Sequence, residues 1–399
     1  MELSKRVQQL VPSPTLALTA KAISMRAEGL DVVSFGAGEP DFDTPNHIKH
    51  AAIEAIQSGF TKYTPVGGVD QLKDAIIEKF RRDNGISYDR SEILVSCGGK
   101  HAIYNLAQAL LDPGDEVIIP APFWVSYPPI VELTGATPII IETSSHDGFK
   151  LAPQRLSETI TPRTKALILN SPCNPTGAAY DREELETLAE IVLKRGIYVI
   201  SDEIYEKIVF DSFRFTSIAS LDKDLKDRTI IVHGLSKTYS MTGWRIGFTA
   251  GPVELIRAMT NIQSQSTSNP TSIAQKAAIV ALNGPQEPVA DMVKVFQDRR
   301  DLIVERVNAI EGVLCMKPQG AFYVFPDFSH WFGRFWKGHE LAGSLDLADH
   351  FLTTSCVAMV PGVSFGVEGH MRLSFATSTE NIEKGLDRIE EALSQLRQS

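Results

Sequence analysis

The sequence predicts an α/β protein: a mainly parallel sheet flanked by helices in a large domain, with a smaller α+β domain built from both chain ends. Three observations carry this. Between residues 92 and 234, short β-branched runs alternate with helical segments. Beyond residue 253 the pattern changes to long helical segments followed by scattered strand-like runs. The chain has 399 residues, 43% hydrophobic and 22% charged, enough for a large core and two or three domains.

Residues 1–30 read as helical and only partly amphipathic, interrupted by Pro12 and Pro14. Val32 to Gly38 is a short strand-like run that ends in the loop GAGEPDFDTP. Residues 46–58 and 69–83 have helical spacing, and the loop GFTKYTPVGG between them carries Tyr63. EILVSC then precedes GGKHAIYNLAQALL, DEVIIP precedes FWVSYPPIVELTG, and TPIIIET follows. TKALILN leads through SPCNPTG to the helix DREELETLAEIVLKRG, and YVISDEIY and TIIVHG complete the series. Residues 253–282 and 288–311 predict long helices. VLCMKPQGAFYVFPDF, FLTTSCVAMVPG and HMRLSFATS predict strands, and ENIEKGLDRIEEALSQLRQ a final helix. The expected division is a large domain over 46–284 and a small one from 1–45 and 285–399. The aromatic-rich stretch 327–345 reads as a packed loop or subunit contact in preference to a mobile cover.

Charge and cysteine usage exclude several functions. Lys and Arg number 39 against 49 Asp and Glu, and the net charge of −10 argues against nucleic acid and acidic membrane surfaces. Cys97, Cys173, Cys315 and Cys356 are scattered, which predicts neither a disulfide framework nor a zinc site. His47 and His50 share a helix face without an obvious third ligand, so no metal is expected. The start MELSKRVQQL lacks the apolar core of a signal peptide, and no apolar run reaches membrane-spanning length. These features fit a cytoplasmic enzyme.

The chemistry centres on residues 229–249. An apolar run breaks at Gly234 and delivers Ser236 and Lys237, with Arg245 eight residues later. A lysine just past a buried strand is partly desolvated, which frees its amine as a nucleophile. A neighbouring serine and arginine suit a phosphate dianion. That combination suggests a Schiff-base lysine holding pyridoxal phosphate, an electron sink that the protein must orient. Asp202, at the end of a strand, could keep the pyridine nitrogen protonated; alone, such an Asp is more often a helix cap. Tyr205 and Asn174 could reach the ring oxygen, against the alternatives of a packing tyrosine and a common Asn-Pro turn. Trp124 could stack on the ring or simply be a core tryptophan. Gly98-Gly99-Lys100 opens a helix after a strand, so its N–H groups could cradle phosphate; it is no Walker loop. Gly36-Ala37-Gly38 lacks the third glycine of a dinucleotide fingerprint. Arg372 could clamp a carboxylate or end in a surface ion pair.

Taken together, these segments resemble the class I, fold-type I PLP-dependent aminotransferases, and closely the prokaryotic aspartate aminotransferase subgroup Ib. The resemblance spans nearly the whole chain and rests on GEPDFDTP (38–45), KYTPVGG (62–68), SPCNPTG (171–177), SDEIYE (201–206), SKTYSMTGWRIG (236–247) and MRLSFATS (371–378). It implies that Lys237 holds pyridoxal phosphate covalently and moves the substrate's proton. It also implies that Asp202 faces the pyridinium, that Asn174 and Tyr205 meet the ring oxygen, and that Trp124 stacks. Ser236, Arg245 and the backbone of Gly99 and Lys100 would hold the phosphate. Tyr63 would reach the phosphate of a neighbouring subunit, making a homodimer with shared sites. Arg372 and the backbone of Gly38 would grip the substrate α-carboxylate, with Trp124 and Asn174 beside it.

Departures bear on substrate choice. The longer-studied subgroup binds the distal carboxylate with an arginine of the neighbouring subunit, whereas SQSTSNPTS (264–272) here has none. The Ib pattern gives that task to Lys100, with Thr15 and the partner's serines nearby. Val11 stands where relatives often carry a basic residue that helps bind larger dicarboxylic keto acids such as prephenate. The stretch 327–345 is also longer than usual. The expected activity is ping-pong amino transfer between L-aspartate and 2-oxoglutarate. The alternative is a glutamate/aspartate–prephenate aminotransferase making arogenate. A PLP-dependent lyase or decarboxylase, or a regulator using the fold as an effector sensor, ranks lower.

Overall fold

The protein is described by a computed structural model covering residues 3–10 and 14–397. In chain order the strands are β1 (Val33–Ser34), β2 (Ile93–Ser96), β3 (Glu116–Ala121), β4 (Thr137–Glu142), β5 (Thr164–Asn170), β6 (Tyr198–Asp202), β7 (Thr229–Gly234) and β8 (Gly247–Ala250), followed by β9 (Tyr323–Val324), β10 (Arg334–Trp336), β11 (His339–Leu341), β12 (Val357–Ala358), β13 (Val360–Pro361) and β14 (Met371–Ser374). Strands β2 to β8 form one seven-stranded sheet in the order β2-β8-β7-β6-β5-β3-β4. From β7 to β4 every neighbouring pair is parallel, while β8 runs antiparallel to both β2 and β7. The mainly parallel sheet is thus as expected; the reversed strand β8 is an addition to it.

Strands β2, β7 and β8 are buried at every position. Helices cover both faces of such strands, which is why their sequences are mostly apolar without in–out alternation, with Ser96, Thr229, His233 and Thr249 as buried polar exceptions. The covering helices carry ordinary stop and start signals. Arg182–Arg195 begins with a reciprocal cap, in which the Asp181 carboxylate accepts from the Glu184 N–H and the Glu184 carboxylate accepts from the Asp181 N–H. It ends at Gly196, whose φ of 71° closes the last turn.

Three boundaries differ from expectation. The segment 253–282 is two helices, Val253–Ser266 and part of Ser272–Asn283. Pro270 has no N–H to continue the first helix, and Ser268 turns left-handed with φ 60°. FLTTS is the end of the helix Ser344–Ser355 and not a strand; its Phe351 and Leu352 are buried at helical spacing. The stretch from Val313 to Phe328 contributes only β9 and isolated bridges.

Outside the large sheet, β1 pairs with β12, and β13-β14-β9 form a second small sheet. One hydrophobic core there joins Val33 and Phe35 with Phe296, Phe322, Phe375 and Ile389, drawing on both chain ends. The stretch 327–345 folds as the hairpin β10–β11, with Trp331 and Leu341 packed into that core. Its Phe335 bridges to Arg397.

Candidate active site

The C-terminal ends of parallel strands are where this sheet gathers its polar residues, because connections leave the strands there and helix N-termini point back at them. Register sets Asn170 of β5 beside Asp202 of β6, and Asp202 beside Val232 of β7. Two residues after β7 come Ser236 and Lys237, and the helix Gly99–Leu110 starts shortly after β2. These ends open on a cleft of about 710 Å³, which Arg372 of β14 enters from the second sheet.

Lys237, Asp202, Tyr205, Asn174 and Ser236 all line this cleft. So do Gly38, Gly99, Lys100, Trp124, Arg245 and Arg372. Tyr63 does not: it stands 91% exposed on the loop before Gly67. Val11 and the side chain of Thr15 lie outside the described residues.

The Lys237 Nζ donates to the carbonyl of Gly38 at 2.5 Å. Burial lowers its pKa to about 8; nearby Glu39 opposes the shift, and Arg372 and Arg245 add to it. A large fraction of this amine is therefore neutral near pH 8 and able to attack an aldehyde. Asp202 is moved the other way. Burial raises its carboxyl to about 6, while a hydrogen bond from the Tyr127 hydroxyl at 2.6 Å and another from the Ile204 N–H hold the charged form. A cation placed against this carboxylate would bring its pKa down again and be stabilised in return.

At the second-sheet side, the Arg372 Nη1 donates to Asn174 Oδ1 at 3.0 Å and its Nη2 to the carbonyl of Gly36 at 2.9 Å. The guanidinium lies over the rings of Tyr323 (4.5 Å) and Phe365 (5.1 Å). Its Nε is buried without a partner. Among the described residues no carboxylate pairs with it. A buried cation lacking a counter-ion is costly, so an incoming carboxylate fits this position.

Around Arg245 the backbone is packed too tightly for side chains. A Cβ on Gly98, whose φ is 96°, would lie 2.4 Å from the Arg245 Nη2. A Cβ on Gly247 would lie 2.4 Å from both Gly98 C and Gly99 N. Arg245 itself is left-handed with φ 57°, and its Nη1 donates to the Thr242 carbonyl at 2.8 Å. The start of the helix Gly99–Leu110, Ser236 and Arg245 all line the same cleft, a donor set that fits a phosphate dianion. The Lys100 Nζ lies 5.0 Å from the centre of the Trp124 ring. Burial of part of the Lys100 side chain lowers its pKa, with Arg245 adding to the effect.

Sequence reasoning missed three residues of this cleft. Tyr127 holds Asp202; its position three residues after Trp124, at the start of a helix, was the available signal. Asn170 donates its Nδ2 to the Asp202 carbonyl at 3.0 Å, and its Oδ1 accepts the Asn174 N–H at 2.9 Å. Tyr323 carried no local signal, because its partners come from distant segments. Among the described residues no group of three or more His, Cys, Asp or Glu is arranged to hold a metal ion. Among them, too, no helix is long and apolar enough to cross a membrane.

Comparison with known proteins gives this cleft a context. The pattern of the family described as "Aminotransferase class I and II" matches residues 30–389. The chain is 51% identical to an aspartate aminotransferase of Geobacillus stearothermophilus over 98% of both chains. It is 50% identical to an aspartate/prephenate aminotransferase of Nitrosomonas europaea, over 99% of this chain and 100% of that one. Among solved structures, the aspartate aminotransferase from Rhizobium meliloti superposes with a TM-score of 0.96 at 45% identity, covering 100% of each chain. The Thermus thermophilus aspartate aminotransferase with maleate does so with a TM-score of 0.92 at 44% identity, over 98% of this chain and 100% of that one. On sequence and fold alike, the chain belongs to the class I and II aminotransferase family.

Proposed function

We propose that this protein transfers the amino group between L-aspartate and 2-oxoglutarate, using pyridoxal phosphate and alternating half-reactions. The observation that carries the reading is Lys237. Its buried amine, with a pKa lowered to about 8, shares one cleft with the carboxyl of Asp202, with Ser236 and Arg245, and with Arg372, which has no carboxylate partner among the described residues. Pyridoxal phosphate, when bound, supplies an aldehyde for the lysine and a ring that accepts electrons from the substrate.

The chain's own groups then have distinct tasks. Ser236, Arg245 and the N–H groups of Gly99 and Lys100 bind the phosphate. Asp202, held by Tyr127, keeps a proton on the pyridine nitrogen. Tyr205 and the amide nitrogen of Asn174 donate to the ring oxygen, and Trp124 packs against the ring face. Arg372 and Gly38 orient the α-carboxylate, which turns the Cα–H toward Lys237. With its amine free, Lys237 would carry that proton from Cα, acting as general base and then acid. Lys100 takes the distal carboxylate.

Support for a four-carbon dicarboxylic substrate comes from relatives named for aspartate and from a neighbour solved with maleate. The reading includes the division into 46–284 and 1–45 with 285–399; the core that joins the two chain ends also takes in Tyr205, Ile208 and Phe210. It also includes a cytoplasmic homodimer in which Tyr63, exposed and outside its own cleft, reaches the partner's phosphate. A prephenate-accepting activity is the second reading, favoured by the name of the Nitrosomonas relative. Adding aspartate alone to the loaded enzyme should abolish the visible absorbance of the lysine-linked cofactor and yield one equivalent of oxaloacetate. Persistence of that absorbance rules the reading out. Arogenate formation from prephenate decides the second.

A further inference from the structure

Tyr323 belongs to none of the roles above, yet it touches two of them. It lies on β9, paired through Ser374 to the strand that carries Arg372. Its hydroxyl is 2.9 Å from the hydroxyl of Tyr205, and both residues are buried. The Arg372 guanidinium covers its ring at 4.5 Å. The same hydroxyl lies 3.3 Å from where a Cβ on Gly38 would stand.

A phenol has one hydrogen to give. The hydrogen bond between the two tyrosines can therefore run either way, but not while Tyr205 gives its hydrogen elsewhere. When Tyr205 donates to the cofactor's ring oxygen, its own oxygen must accept, and Tyr323 becomes the donor. The order is then fixed as Tyr323 O–H to Tyr205 O, and Tyr205 O–H to the ring oxygen. Hydrogen bonds in such a chain polarise one another, so the first strengthens the second. The Arg372 charge lies against the first donor and makes its hydrogen more acidic; it lowers the Tyr323 pKa, which burial raises. A substrate carboxylate on Arg372 offsets that charge and weakens the chain from its far end.

We propose that Tyr323 is a positioning residue that fixes the direction of the Tyr205 hydrogen bond to the ring oxygen and couples its strength to whether Arg372 holds a carboxylate. This rests on the proposed cofactor chemistry and adds a residue that makes no bond to the cofactor itself.

The test is a pH titration of the visible absorbance of the loaded enzyme, with and without the unreactive dicarboxylate maleate. Tyr323→Phe keeps the ring under Arg372 and removes only the hydroxyl. Its titration midpoint should rise by roughly 0.3–1 pH unit, because a weaker donor leaves the ring oxygen more basic and the neighbouring nitrogen easier to protonate. The change in midpoint that maleate causes should shrink in the same variant. Tyr205→Phe should raise the midpoint further, and adding Tyr323→Phe to it should change nothing more. Tyr323→Leu should also raise KM for aspartate by about 2–30-fold through the lost ring contact, with Phe restoring it. A midpoint in Tyr323→Phe equal to wild type, or equal shifts with and without Tyr205, would overturn the inference while leaving the cofactor reading intact. Absence of a lysine-dependent absorbance in wild type would overturn both.

Discussion

Arg372 and Asn174 stand 198 residues apart in sequence and share a hydrogen bond of 3.0 Å, from Nη1 to Oδ1. The contact binds the second sheet to the turn after β5. Asn174 also receives support from Asn170, whose Nδ2 bonds the Asp202 carbonyl. A hydrogen-bonded path therefore runs from Arg372 through Asn174 and Asn170 to the backbone of Asp202.

Removing that arginine should affect substrate more than fold. Arg372→Ala should lower kcat/KM for aspartate by about 10²–10³-fold, the size of one or two lost charge-assisted bonds. Arg372→Lys should recover only part, since a point charge replaces a planar fork. Steady-state kinetics check this, and an unchanged kcat/KM contradicts the clamp.

Lys237→Ala should reduce turnover by about 10⁴-fold or more, because both the covalent link and the proton carrier are lost. The phosphate pocket remains, so cofactor should still bind, and borohydride should no longer fix it to the protein. Turnover near wild type contradicts the assignment.

Asp202→Asn gives a stability test in cofactor-free protein. The carboxyl holds its proton to about pH 6 in the folded chain against 3.8 ordinarily. The folded state therefore binds the extra proton between those values, and this contribution to stability is full below 3.8 and lost as pH rises through 6. Asparagine is neutral throughout. The variant should be more stable than wild type at about pH 8 by about 1–3 kcal/mol, with the difference vanishing near pH 4. Thermal denaturation at the two pH values decides it. Transamination by the same variant should fall sharply.

Gly98→Ala should damage phosphate binding specifically. The added methyl would meet the Arg245 Nη2 at 2.4 Å, on a backbone with φ 96°. Displacing the guanidinium should weaken pyridoxal phosphate binding by about 10–100-fold, with a stability cost of about 1–3 kcal/mol from the strained backbone. Fluorescence titration of the apoprotein with cofactor measures the first, and denaturant unfolding the second.

The loop that offers Gly38 to Lys237 is held from the other side. Arg299 of the helix Glu287–Ala309 grips Asp41 with two hydrogen bonds, of 2.8 and 2.9 Å. Arg299→Ala should cost about 1–3 kcal/mol, since it removes a buried guanidinium and its two charge-assisted hydrogen bonds to Asp41, and should raise KM for aspartate. Urea unfolding and kinetics check both effects.

Much of this is legible in the sequence. Buried parallel strands carry apolar runs through their middles, as in ALIL of β5, YVI of β6 and IIV of β7, so these strands announce themselves, and with them the polar residues at their ends. Asp202, Asn174, Ser236 and Lys237 occur in the cleft because each lies next to such an end. The break in 253–282 is also readable in principle from Asn269-Pro270, and the long apolar periodicity on either side conceals it. The reversed strand β8 is four residues long, too short for its direction to be marked by anything but its partners.

Amino-acid order thus determined the sheet, the family and the residues delivered by strand ends, because these depend on local burial and on turns a few residues long. Tertiary structure alone decided that Tyr127 holds Asp202, that Tyr323 meets Tyr205, and that Arg372 lacks a carboxylate partner among the described residues. Two of these are meetings between side chains 75 and 118 residues apart, and the third is a property of an assembled interior. Tyr127 meets Asp202 only once the large sheet and its helices are assembled, and Tyr323 and Arg372 meet their partners only once the second sheet packs against it; no spacing along the chain encodes these contacts.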